Sequence, residues 1–107
     1  MGTDCTMVVE MIDKAFESHE YWEIVGVIHL NRDYKLFDKI SEKAIGGYPP
    51  NCNWLTNKIL EDNESWGECW MSMEDFANMK QAKKHEEWNV FKKKLHKDMR
   101  CIFRFDN

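Results

Sequence analysis

The run Gly46-Gly47-Tyr48-Pro49-Pro50 constrains this chain more than any other part of it. Each proline lacks a backbone donor and pushes its predecessor toward extended geometry, while paired glycines open the left-handed region, so neither a helix nor an inner strand can pass through. One regular element must finish before this run and another must begin after it. Upstream, Leu36, Phe37, Ile40 and Ala44 recur at helical spacing, Asn31 or Asp33 can cap the start, and Gly46-Gly47 can end the run in a left-handed conformation. Downstream, Tyr48 to Asn53 reads as an ordered loop, and Trp54-Leu55-Thr56 leads into a short helix capped by Thr56 and ending near Asn63.

The flanking segments read as strands. Thr6 to Ile12 and Tyr21 to Leu30 are rich in β-branched, Met and aromatic residues and are separated by the polar Asp13 to Glu20, which predicts a hairpin. Trp66 to Met71 is a weaker extended segment, interrupted by Gly67. Met99 to Phe105 alternates Cys101, Phe103 and Phe105 against Arg100, Ile102 and Arg104, the period of a strand. Ser72-Met73-Glu74-Asp75 resembles a capping box and opens a helix expected to run to about Lys97. On that helix Met73, Ala77, Trp88, Phe91, Leu95 and Met99 share a sector of about 80°, broken only by Gln81 and Lys84. The expectation is a single α+β domain over residues 1–107. It is a small, mostly antiparallel sheet, the N-terminal hairpin plus the C-terminal strand, covered on one face by two main helices.

Composition excludes several classes. With 43% apolar and 13% aromatic residues the chain has enough burial units to fold. No run approaches the roughly 20 apolar residues of a membrane span, and the first residues show neither a basic leader nor a cleavage site, so a cytoplasmic protein without membrane contact is expected. The formal charge of −4 is unevenly spread: six Lys or Arg face fifteen Asp or Glu over residues 1–79, and nine face four over residues 80–107. The acidic majority argues against a long nucleic-acid partner. Lys92, Lys93, Lys94, Lys97, Arg100 and Arg104 read as a solvated outer face. Cys5, Cys52, Cys69 and Cys101 form no CxxC pair, so reduced thiols are expected rather than zinc ligands, with Cys5, Cys69 and Cys101 acting as small apolar fillers.

The common catalytic and nucleotide-binding motifs do not occur in the sequence. His29, at a strand end, reads as a structural residue. His85 and His96, eleven apart on the expected helix, lie about 16 Å apart along its axis and cannot share a metal. Glu74-Asp75 fits the positive end of a helix dipole. No catalytic residue, metal ligand or cofactor is assigned, and the balance leans away from an enzyme.

Four segments, in order along the whole chain, carry a resemblance. They are Met1-Gly2-Thr3-Asp4, Arg32-Asp33-Tyr34-Lys35-Leu36-Phe37, Gly47-Tyr48-Pro49 with Asn53-Trp54-Leu55-Thr56, and Arg100 to Asn107 ending Phe105-Asp106-Asn107. The chain resembles a family of small proteins of tailed bacteriophages and bacterial genomes that open Met-Gly-Cys-Asp-Ile-His and end in a Phe-Asp-Asn strand. Thr3, Thr6 and Pro50 replace a Cys and two His of that pattern, while Asp4, Arg32, Trp54 and Asp106 persist. The resemblance implies a phage-encoded accessory protein that acts by binding, with a host or anti-phage defence protein as its partner. Candidate contacts are the acidic residues Glu61, Asp62, Glu64 and Glu68 and the aromatic loop with Tyr48 and Trp54. An alternative is a small-nucleotide binder using Arg32, basic C-terminal side chains, and Tyr34 or Trp54. A weaker one is a metal-dependent hydrolase or nuclease using Asp4 and Asp106.

Overall fold

The computed structural model describes residues 4–13, 21–61, 65–93 and 96–106. β1 (Asp4–Asp13) and β2 (Tyr21–Leu30) pair antiparallel, as the hairpin expectation requires. β5 (Met99–Asp106) lies against β1, β4 (Ser65–Ser72) lies against β5, and the two-residue β3 (Ile45–Gly46) edges β4. All pairs are antiparallel and the order is β2-β1-β5-β4-β3. The fold is α+β, with α1 (Tyr34–Lys43), α2 (Trp54–Leu60), α3 (Met73–Ala77) and α4 (Asn89–Lys92) against the sheet.

The alternation of β5 decides where the core lies. Cys101, Phe103 and Phe105 join Cys5, Met7 and Val9 of β1 on one face, where Leu36, Phe37 and Ile40 of α1 and Phe76, Trp88 and Phe91 pack on them. Phe76 is the hub, with ring centroids 5.1 Å from Trp88 and 5.6 Å from Phe103. The opposite face carries a second, smaller cluster of Val8, Ile102 and Leu60 of α2. Helices therefore cover both faces rather than one. β1 accordingly is buried continuously from Cys5 to Glu10, as a strand sandwiched on two sides must be.

The long helix expected from Met73 to Lys97 is broken into α3, a 3-10 turn at Ala82–Lys84, α4 and a second 3-10 turn at His96–Asp98. In a continuous helix Ala82 would point about 180° away from Met73 and Phe91. Breaking the helix lets Met79, Ala82, Trp88 and Phe91 all reach the core. The indole N–H of Trp88 donates to the Ala82 carbonyl at 2.9 Å and holds the turn. The separation of His85 from His96 by helical rise lapses with the helix.

Local signals fared unevenly. Asp33 caps α1, accepting the Leu36 N–H at 3.1 Å, and Ser72 caps α3 through the Asp75 N–H at 3.1 Å. α1 ends before the glycines, since Ala44 is already extended and donates to the Ile40 carbonyl. Gly46 belongs to β3, and the left-handed residue is Gly47, at φ +87°, which turns the chain away from that strand.

Candidate functional site

A charged pair sits where the second face of the sheet meets α2. Glu10 and Arg100 are cross-strand partners in β1 and β5, and both are buried. Glu10 Oε1 lies 2.9 Å from Arg100 Nε and 2.7 Å from Nη2, while Arg100 Nη1 donates to the Pro50 carbonyl at 2.8 Å. The other carboxylate oxygen accepts from the Thr56 hydroxyl, from the Asn53 N–H at 3.2 Å and from Cys52 Sγ at 3.8 Å. The guanidinium lies over the Trp22 ring, 3.7 Å from its centroid. Removing two charges from water is costly unless they are paired and hydrogen-bonded; here both carboxylate oxygens accept hydrogen bonds, Nε and Nη1 donate them, and Nη2 is held by the ion pair alone. The network ties the Pro50 to Asn53 loop and the first turn of α2 to the sheet.

Asn53, rather than the expected Thr56, caps α2. Its side-chain oxygen accepts the Leu55 N–H at 2.9 Å and its amide donates to the Trp22 carbonyl at 2.7 Å. The hydroxyl of Thr56 is taken by Glu10 and is buried inside the helix. Arg100 and Arg104, expected on a solvated outer face, instead lie on the α2 side of the sheet. Arg104 donates to the Ile59 carbonyl at 3.0 Å.

The anchored turn carries its aromatic groups outward. Trp54 is 70% exposed, and Leu55 and Tyr48 are exposed beside it in sequence and loop. A fixed backbone that presents a bare indole offers large contact area at small entropic cost. Burial first, then the Glu68 carboxylate and Cys52, hold the Tyr48 phenol above its ordinary range. Burial, with the Glu10 carboxylate next, pushes the Cys52 thiol up to about 11, so this cysteine is a poor nucleophile despite its partial exposure.

A second polar cluster lies on the other face. His85 Nε2 is 2.8 Å from Asp33 Oδ2 and its Nδ1 is 3.5 Å from Glu87 Oε2, while Asn31 donates to Glu87 at 2.9 Å. Burial works to raise the Asp33 carboxyl, but the hydrogen bonds from His85 and Leu36 outweigh it and leave the group below its ordinary value. Asn31, Lys84, His85, Glu86 and Glu87 line an open cavity of about 590 Å3. Both imidazole nitrogens face carboxylates, so the ring is a staple between the cap of α1 and the turn before α4.

The structure separates the candidate residues. Arg32 and Tyr34 are exposed at the start of α1, on the main-core side, whereas Trp54 lies on α2 across the sheet. Asp4 and Asp106 are register partners at the end of β1 and β5. Asp4 is exposed, and the Asp106 side chain lies outside the described residues. Glu61 is exposed at the end of α2, 3.6 Å from Lys58. Glu68 lines a cavity of about 290 Å3 with Ser41 and Gly67. Asp62 and Glu64 lie outside the described residues. His29 is exposed rather than buried, with Nδ1 3.3 Å from the Thr6 hydroxyl. Among the described residues no group of three or more His, Cys, Asp or Glu is arranged to hold a metal ion, and no helix is long and apolar enough to cross a membrane.

Comparison with known protein families, with curated proteins and with solved structures finds no match to the chain. Sequence reasoning missed the Glu10 and Arg100 pair and with it the anchor of α2. The signal was present: one acid inside the apolar run Met7 to Ile12, and one base at the matching end of a strand that alternates otherwise with apolar residues.

Proposed function

We propose that this chain is an accessory protein that acts by binding another protein through the turn around Trp54. The observation that carries the reading is the 70% exposure of Trp54 on a helix whose backbone is tied down by a buried charge network. Tryptophan on a rigid element is the side chain most enriched among residues that dominate binding energy. Leu55, next in sequence, and Tyr48, in the preceding loop, are exposed as well, and the exposed Glu61 ends the same helix. The phage resemblance makes the partner a host or anti-phage defence protein, bound so as to inhibit it.

The test is affinity capture from bacterial lysate with wild-type and Trp54→Ala baits, at 50 and 500 mM salt, quantified by mass spectrometry. The reading expects a protein retained by the wild type at both salt concentrations and reduced at least tenfold with Trp54→Ala. Equal capture by both baits, or none, counts against it.

A further inference from the structure

Between α3 and α4 two cavities open. Lys84, Glu86 and Glu87 line one of them beside His85. Among the described residues a separate cavity of about 290 Å3 is lined by Ala77, Lys83, Trp88 and Lys92, two amines and two apolar side chains. The Lys92 ammonium is fixed there, donating to the His85 carbonyl at 2.9 Å and lying 5.0 Å from the Trp88 ring centroid. Lys83 is exposed at the rim. One amine is thus held in place by the fold and the other is free to close on a ligand.

We infer that this cavity binds a small organic phosphomonoester. A phosphomonoester carries close to two negative charges at neutral pH, which the two lysines lining this cavity match in charge, and it has three strong acceptor oxygens for their protons. The volume is at the lower limit of small-molecule sites and suits a ligand the size of a nucleoside monophosphate. Lys92 already covers the Trp88 ring, so the organic body rests on Ala77 and on the lysine stems rather than stacking on the indole. This site is independent of the Trp54 turn, which lies on α2 across the sheet.

The experiment titrates the full-length chain with adenosine monophosphate, adenosine and inorganic phosphate. The readout is the indole N–H signal of Trp88 in nitrogen–proton correlation spectra. Adenosine monophosphate is expected to shift that signal saturably, adenosine to leave it unmoved, and inorganic phosphate to bind at least fivefold more weakly. Lys83→Glu, at an exposed position that leaves folding intact, is expected to weaken adenosine monophosphate at least tenfold, and Trp54→Ala to leave it unchanged. Equal shifts from adenosine, equal affinity for bare phosphate, or undiminished binding by Lys83→Glu would overturn the inference.

Discussion

Glu10 of β1 and Arg100 of β5 face each other directly across adjacent strands, buried, on the face that receives α2. The carboxylate is shared: one oxygen serves the guanidinium, the other serves Thr56, Asn53 and Cys52. Cutting either half leaves an unmatched charge in the interior.

Glu10→Ala and Arg100→Ala are each expected to destabilise the fold by about 3–5 kcal/mol, the cost of a stranded buried charge. The double replacement Glu10→Leu with Arg100→Met should recover most of that loss, because the desolvation term disappears with both ions. Urea unfolding of the three variants measures this. Salt up to 0.5 M should hardly move the wild-type midpoint, since a buried pair is poorly screened. A single-variant cost under about 1 kcal/mol would show that water reaches the pair.

Acid should loosen the start of α1. Asp33 titrates below its usual 3.8 when folded, so its contribution is complete above that value and is lost as pH falls through the folded one. Asn remains a good helix cap but offers His85 no carboxylate, so Asp33→Asn should fall short of wild type at pH 6 and converge with it as pH falls below the folded value of Asp33. Asp33→Ala loses the cap as well, by about 1 kcal/mol more. Stability measured across that range distinguishes the two roles; a constant gap between wild type and Asp33→Asn would sink the ion-pair account.

Alkylation should be slow at every described cysteine. Burial pushes Cys69, like Cys52, to about 11 and Cys101 higher still. At pH 8 Cys52 should react roughly 100-fold more slowly than a free thiol, since the thiolate is the reacting species. Cys101 and Cys5 should react only on unfolding. Mass spectrometry after timed iodoacetamide treatment, with and without urea, reads the order; rapid labelling of Cys52 in the native protein would contradict the assigned environment.

β5 was legible because its alternation survives, β1 and β2 because of their β-branched, Met and aromatic content, and the caps Asp33 and Ser72 because their geometry is local. The broken helix was not, because the demand comes from elsewhere: Ala82 and Trp88 must both reach the main core, and no helical periodicity expresses that. The place of α2 was half legible. Val8 and Ile102, apolar on the side opposite the main core, announce a second covered face, but not which segment covers it. Asn53 displaced Thr56 as cap because the buried Glu10 carboxylate of β1 claimed the hydroxyl, a contact between residues 46 positions apart.

Gly26 leaves room for an aromatic ring. A Cβ there would stand 2.5 Å from Phe91 Cζ, and Phe91 is buried. Gly26→Ala should cost about 1–3 kcal/mol as overpacking, and adding Phe91→Leu should return part of it. Additive losses in the pair would mean that the two residues do not meet.

The sheet order has a consequence for the timing of folding. β5 is the shared neighbour of β1 and β4, so the β1–β2 ladder and the β3–β4 ladder have no strand pairing in common until it arrives. During synthesis β5 leaves the ribosome after the other described elements, and it contributes Phe103 and Phe105 to one face and Arg100 to the other. Until then Glu10 is without its counter-ion and both apolar faces of β1 are open. The nascent chain is therefore exposed to aggregation until β5 has emerged, and closure is governed by long-range contacts rather than by its short helices.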